Sequence, residues 1–243
     1  MATDDPHAAE RVVRHIERLI QSGQVKPGDR LPAERELARH IQVSRPSVRA
    51  GLRSLAAVGV VESRHGAGSF ITAGSPRLST GPLSLMAALH GFTRDDMFDA
   101  RRVLEVAAAG LAAERATGDN LATMSEEIAG MFASLQDPQP FLLHDVRFHR
   151  AIALASHNPV LAALVEMLST MVYERRRLTV ERARDLKESA DMHRRIYAAI
   201  RDHDSERARR EMSEHLDLAR MAQASEDTIP PAATGAAAHP ENR

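Results

Sequence analysis

A chain of 243 residues is long for one ordinary small domain and suits two. Hydrophobic residues at 43% and charged residues at 27% supply enough apolar material for folded cores, which excludes a wholly disordered chain, and the absence of cysteine excludes disulfides and thiolate metal sites. No stretch reaches the ~18 apolar residues of a membrane span. The opening MATDDPHAAE also lacks the basic and apolar regions of a secretory leader, so the expectation is a cytoplasmic protein with no membrane role.

The net charge of -1 argues against a basic coat over the whole surface, but the charge is uneven. Between Ala8 and Ser75 eleven Lys and Arg residues face six Asp and Glu, so the N-terminal third is locally basic. Aromatic residues are only 3% of the chain and Trp is absent, which leaves no material for a platform that stacks single-stranded bases. If nucleic acid binds there, it is duplex.

The first periodic stretch places Ala9, Val12, Val13, Ile16, Leu19 and Ile20 on one face and predicts a helix over 8–22, ended by Gly23. Lys26-Pro27-Gly28-Asp29 reads as a turn in which glycine takes positive φ. A second helix is expected over 34–41, with Leu37, Ala38 and Ile41 inward. Gln42-Val43-Ser44 makes a tight turn, after which Ser44 caps a third helix that reaches about Val58, with Pro46 in its first turn. Two β-prone runs, 60–63 and 69–72, flank Arg64-His65-Gly66-Ala67-Gly68 as a small hairpin. The order, three helices and a hairpin, is that of a winged helix-turn-helix over 8–73.

Residues 74–83 are rich in Gly, Ser and Pro and read as a linker. Beyond them strand-like alternation is missing, and amphipathic stretches near 84–90, 95–116, 119–135, 139–156, 158–178, 186–202 and 204–223 predict an all-helical bundle over 84–223. From Ala224 the periodicity fades into Pro, Ala and Gly, and a disordered tail is expected over 224–243. The fold class is thus mainly α, with the winged helix-turn-helix first and the bundle second.

A helix-turn-helix lays its second helix in the major groove. In the helix that begins Ser44-Arg45-Pro46-Ser47-Val48-Arg49, Arg45 and Arg49 share one face, while Val48, Leu52 and Leu55 occupy the opposite one. Two guanidinium forks suit guanine O6 and N7, and the Ser44 and Ser47 hydroxyls suit phosphates or base edges; a solvated arginine face would carry the same residues. Across residues 9–73 the pieces G-x-x-x-P-G-D-x-L-P, E-R-E-L-A, V-S-R-x-x-V-R, L-x-x-L-x-x-x-G-x-V and G-x-G-x-F follow in order, and the segment resembles the DNA-binding domain of the GntR family of bacterial regulators. The resemblance implies that Arg35 contacts phosphate or base, that Arg45 and Arg49 read guanines, and that His65 and Gly66 at the wing tip enter the minor groove. Two departures stand out. Ala33 replaces the Ser that would cap the second helix, and Gly51 replaces an alanine, a change that weakens a helix by about 1 kcal/mol.

In the C-terminal half Asp145 and His149 are one helical turn apart, and His193 and His215 each lie on a separate amphipathic stretch. That spacing suits one metal ion gripped by three helices, although solvated or core-edge imidazoles would show it as well. The segments DARRVLEVAAAGLAAERA, LLHDVRFHRAIALASHNPVL and DMHRRIYAAIRDHDSERARREMSEHL resemble the FCD ligand-sensing domain of the FadR branch of the same family. The resemblance implies a divalent cation on Asp145, His149, His193 and His215, and an effector pocket lined by Arg101 and Asn158. For Arg101 an i,i+4 pair with Glu105 is the plainer reading, and the two are compatible.

Zinc is the leading ion, with nickel and manganese compatible with the same nitrogen and oxygen donors. Three neutral imidazoles and one carboxylate leave a divalent ion one positive charge in excess and Arg101 adds another, so a small carboxylate is the expected effector. The function expected is a ligand-responsive regulator that binds a near-palindromic double-stranded operator as a homodimer. The alternative is a metal-dependent enzyme using the same three His and one Asp, against which no base-bearing motif accompanies the ligands.

Overall fold

The computed structural model describes residues 7–74, 78–177, 180–182 and 186–228. The N-terminal helices are α1 (Ala8–Gln21), α2 (Glu34–Ile41) and α3 (Arg45–Ala57), followed by strands β1 (Val61–Arg64) and β2 (Gly68–Ile71). The strands pair antiparallel from Val61 opposite Ile71 to Arg64 opposite Gly68. Leu31 N donates to Ser69 O at 2.8 Å and Ile71 N to Asp29 O at 2.8 Å, tying the chain before α2 to the outer strand of the hairpin. The core is Val12, Ile16, Leu37, Val48, Leu52 and Leu55 from the helices, closed by Leu31, Val61 and Ile71; of the face predicted for α1, Val13 and Leu19 are partly buried at its edge and Ile20 is exposed. Each such side chain contributes roughly 1.5–3 kcal/mol on burial. This is the winged helix-turn-helix that the sequence predicts.

Local signals act where expected at the turn. Gln42 adopts the left-handed conformation, φ 58°, and ends α2, while Ser44 Oγ accepts from Ser47 N at 3.2 Å to cap α3. At α2 the capping box is half built: Ala33 N donates to Glu36 Oε2 at 3.2 Å, but Ala33 has no side-chain oxygen to cap the Glu36 N–H.

The structure reverses the sense of the Gly51 substitution. A Cβ on Gly51 would stand 2.7 Å from Val12 Cβ and 2.8 Å from Ala9 O, so the missing side chain is what lets α1 lie against α3. Gly51→Ala is therefore expected to destabilise the chain by about 1–3 kcal/mol, because overpacking outweighs the gain of about 1 kcal/mol in helix propensity. Thermal unfolding of the full chain checks this, and a raised melting temperature would contradict the close approach.

The C-terminal half contains α4 (Thr80–His90), α5 (Arg94–Arg115), α6 (Gly118–Ala133), α7 (Pro138–Ala155), α8 (Pro159–Arg176), a short 3₁₀ turn at Val180–Arg182, α9 (Leu186–Arg201) and α10 (Ser205–Thr228). Ala108, Ala109, Ala112 and Ala113 of α5 are buried, small enough for neighbouring helices to come close, and Phe141, Phe148, Ile152, Ile196, Met212 and Leu216 fill the space between them. Helix α5 packs on α7, α9 and α10, the helices that bear the predicted metal ligands.

Two segments depart from expectation. Helix α4 starts at Thr80, so the last residues read as linker are helical; residues 75–77 of that segment lie outside the described residues. Helix α10 continues through Thr228 into the segment expected to be disordered, since no proline or glycine interrupts it before Pro230. The rest of that tail, 229–243, lies outside the described residues. Among the described residues no helix is long and apolar enough to cross a membrane.

Candidate functional site

Asp145 and His149 on α7, His193 on α9 and His215 on α10 are all buried and present donor atoms that lie within 4.8 Å of one another. The three imidazoles point the same nitrogen inward. His149 Nε2 is 3.2 Å from His215 Nε2 and 3.3 Å from His193 Nε2, and His193 Nε2 is 3.1 Å from Asp145 Oδ1. Donors held at about 2.0–2.1 Å from one ion would stand roughly 2.9–3.4 Å apart, for right-angle through tetrahedral geometry. The spacings fall within that range.

The outer ring nitrogens explain the orientation. His193 Nδ1 donates to the Ser189 carbonyl at 2.7 Å. His149 Nδ1 lies 2.5 Å from Glu105 Oε2, a close contact outside the angular range of a straight hydrogen bond. Both outer partners are acceptors, which places the ring protons on Nδ1 and leaves lone pairs on the two Nε2 atoms. Two buried lone pairs then face each other at 3.3 Å, an arrangement that repels unless a cation lies between them. The residues thus fit a divalent ion, which would also accept the Asp145 oxygen and His215 Nε2. Phe148, fully buried, sets its ring edge-on to both His149 and His193 and forms an apolar wall beside the donors.

The protonation states favour ligation. Burial pushes the pKa of His215 well below the ordinary histidine value, so its lone pair is available at neutral pH. Burial works against ionisation of Asp145, but its charged and polar surroundings, Arg176 among them, hold its carboxyl well below the usual range. Burial likewise opposes ionisation of Glu105, and the adjoining Arg101 guanidinium and then His149 bring its pKa down to about 2.

Arg101 is buried and donates Nε to Glu105 Oε1 at 2.6 Å, so the i,i+4 pair read from the sequence exists, and Glu105 links it to His149. Its charge is compensated by Glu105, which corrects the expectation that Arg101 adds a free positive charge to the site. Asn158 has a capping role of its own. Its Oδ1 accepts from Val160 N and Leu161 N, both at 3.1 Å, and caps α8 beyond the end of α7. The partners behind the ligands, Glu105 for His149 and Arg176 near Asp145, escape a search for metal-binding spacings. Glu105 had a signal, since it continues the buried stripe Arg101, Glu105, Ala108, Ala112 along α5.

In the N-terminal half Arg35, Arg45, Arg49, His65 and Gly66 are all exposed. Gly66 takes φ 70° at the tip of the hairpin, a conformation open to glycine. The Ser44 and Ser47 hydroxyls, 2.8 Å apart, are engaged in the cap of α3, though a hydroxyl retains capacity for one more partner. Glu34, which motif reasoning passed over, lies between the two arginines: its Oε2 accepts from Arg49 Nε at 2.8 Å and is 3.7 Å from Arg45 Nη2.

Comparison with known proteins agrees with this division. Residues 8–71 match the bacterial regulatory proteins of the gntR family, and residues 96–218 match the FCD domain. An uncharacterised HTH-type transcriptional regulator, YcbG of Bacillus subtilis, is 31% identical over 87% of this chain and 88% of its own length. The galactonate operon transcriptional repressor of Escherichia coli is 32% identical over 82% of this chain and 89% of its own. The solved structure of a Streptococcus agalactiae GntR protein is similar with a TM-score of 0.67 at 27% identity, covering 88% of this chain and 99% of that one. The relatives are regulators, which sets aside the enzymatic reading of the buried His and Asp cluster. The chain belongs to the gntR family of bacterial regulatory proteins, as a transcriptional regulator that joins the family's helix-turn-helix to an FCD domain.

Proposed function

We propose that this regulator is a metal-assisted anion sensor, whose DNA-binding unit at 8–73 reads a short near-palindromic operator as a homodimer in the cytoplasm. The observation that carries the reading is the convergence of three Nε2 atoms and one carboxylate in a buried pocket, with the outer nitrogens of His149 and His193 facing acceptors. Asp145, His149, His193 and His215 would hold the ion, zinc foremost with nickel or manganese as alternatives, and the ion would supply positive charge to an acidic effector. The charges behind the site, Asp145 and Glu105 against Arg101 and Arg176, cancel, so the ion's two positive charges call for an anion. A small carboxylate with an adjacent hydroxyl or keto oxygen offers two oxygen donors that would suit such an ion. Galactonate, in the name of the relative's operon, is a hydroxy acid of that class.

Arg35, Arg45 and Arg49, with Ser44 and Ser47, engage the duplex from the helix-turn-helix, and His65 and Gly66 do so from the wing. Arg101 supports His149 through Glu105 and reaches the effector only through the ion. Effector binding changes operator affinity by the difference in its binding energy between two arrangements of the dimer. The test is selection of duplexes from a random library by the full chain, followed by footprinting under titration with hydroxy and keto acids. The expected outcome is a protected inverted repeat whose affinity one of these acids shifts by about 5–150-fold. A chain that selects no sequence would contradict the reading.

A further inference from the structure

Glu34 is an acid in the midst of groups read as facing the DNA backbone, where a carboxylate repels phosphate. Helix capping does not account for it, because the bond that closes the start of α2 comes from Glu36. Its first-turn position favours a negative charge through the helix dipole, but Glu36 shares that benefit. What distinguishes Glu34 is its contacts with α3: Oε2 accepts from Arg49 Nε at 2.8 Å and lies 3.7 Å from Arg45 Nη2. The two arginines are one turn apart on the polar face of the proposed recognition helix, and both are half-exposed.

We infer that Glu34 is a positioning residue for base reading: by holding the Nε edge of Arg49 and drawing Arg45 toward the same oxygen, it aims both guanidinium forks and raises discrimination between operator and other DNA. The geometry favours this division of labour. A guanidinium has five N–H donors in a fixed plane, and guanine O6 and N7 are matched by two of them. With Nε committed to Glu34, the two terminal nitrogens of Arg49 remain as the fork. An unrestrained arginine has wide rotamer freedom, much of which is lost on docking at a base edge. A side chain already held loses less, and a misplaced base cannot be accommodated by swinging the fork aside. The carboxylate meanwhile weakens contact with any duplex, so its two effects differ in sign: a charge penalty common to all DNA and an orientation gain at the operator alone.

The inference rests on the assignment of Arg45 and Arg49 to base contacts. The test uses the full chain, the duplex it selects from a random library, and a scrambled duplex of the same composition. Glu34→Ala is expected to lower the ratio of operator to scrambled affinity by about tenfold, with scrambled binding unchanged or tighter. Glu34→Gln, whose amide oxygen can still accept from Nε, is expected to recover about a third of the lost ratio. In an Arg49→Ala background the Glu34 substitution should change the ratio by less than about twofold, since the residue it positions is gone. Unchanged melting temperatures for both variants check the fold. If Glu34→Ala raises affinity for both duplexes equally and leaves the ratio intact, Glu34 is only a surface charge and the inference is overturned. If Arg49→Ala itself leaves the ratio intact, the recognition-helix assignment fails instead.

Discussion

Arg49→Ala is expected to abolish sequence-specific binding while the chain stays folded. Arg49 is half-exposed, on the face of α3 opposite the buried Val48, Leu52 and Leu55, so its removal opens no cavity. A bidentate contact with guanine discriminates by roughly 1–3 kcal/mol. The proposed two-fold dimer would lose the contact twice, about 2–6 kcal/mol, or roughly 30-fold to 20,000-fold in operator affinity. Binding to scrambled duplex should fall far less, as for the loss of one phosphate-neutralising charge per chain. Footprinting of the selected operator, beside a salt series on scrambled duplex, separates the two effects. An unchanged footprint at unchanged affinity would show that α3 is not the reading helix.

Removing the ion is expected to have the other large effect. At a free metal concentration a hundred times its dissociation constant, a resident ion stabilises the native chain by about 2.7 kcal/mol, which corresponds to a fall of about 5–10 °C in melting temperature on chelation. His193→Ala removes one of the two opposed lone pairs along with a ligand. The variant should therefore unfold at a temperature that chelator no longer changes, and it need not melt below the chelated wild type. That pattern separates a metal site from a plain core histidine, whose loss would cost the same with and without chelator. A wild-type melting temperature insensitive to chelation would contradict the site.

The elements legible in the sequence are those with one strong local cause. Apolar spacing of three and four marks α1 and the bundle helices, Ser44 and Pro46 mark the start of α3, and Gly66 marks the wing tip. The four candidate ligands are legible because Asp145 and His149 share one turn of α7 and His193 and His215 each lie on a further amphipathic stretch, a set to which the resemblance to the FCD domain adds weight. What the sequence could not show are relations between elements. Gly51 reads as a defect in α3 until α1 is laid against it, within 2.7 Å of any added Cβ. Glu105 reads as the partner of Arg101 alone until α7 brings His149 to its other oxygen. Glu34 lies fifteen residues before Arg49, and only the fold of the turn brings them together. Asn158 carries a role the sequence reading did not assign: beside the pocket position that the resemblance implies, its Oδ1 completes the first turn of α8.

The central claim, that a divalent ion on Asp145, His149, His193 and His215 captures the effector, is tested most directly by one calorimetric comparison on the purified full chain. Its metal content is first measured, and the carboxylate that shifts operator affinity is then titrated into metal-loaded and metal-stripped protein. About one divalent ion per chain is expected, with binding of the carboxylate to the loaded protein and loss of that binding on stripping, restored with the ion. Equal affinity for the carboxylate in loaded and stripped protein would contradict it.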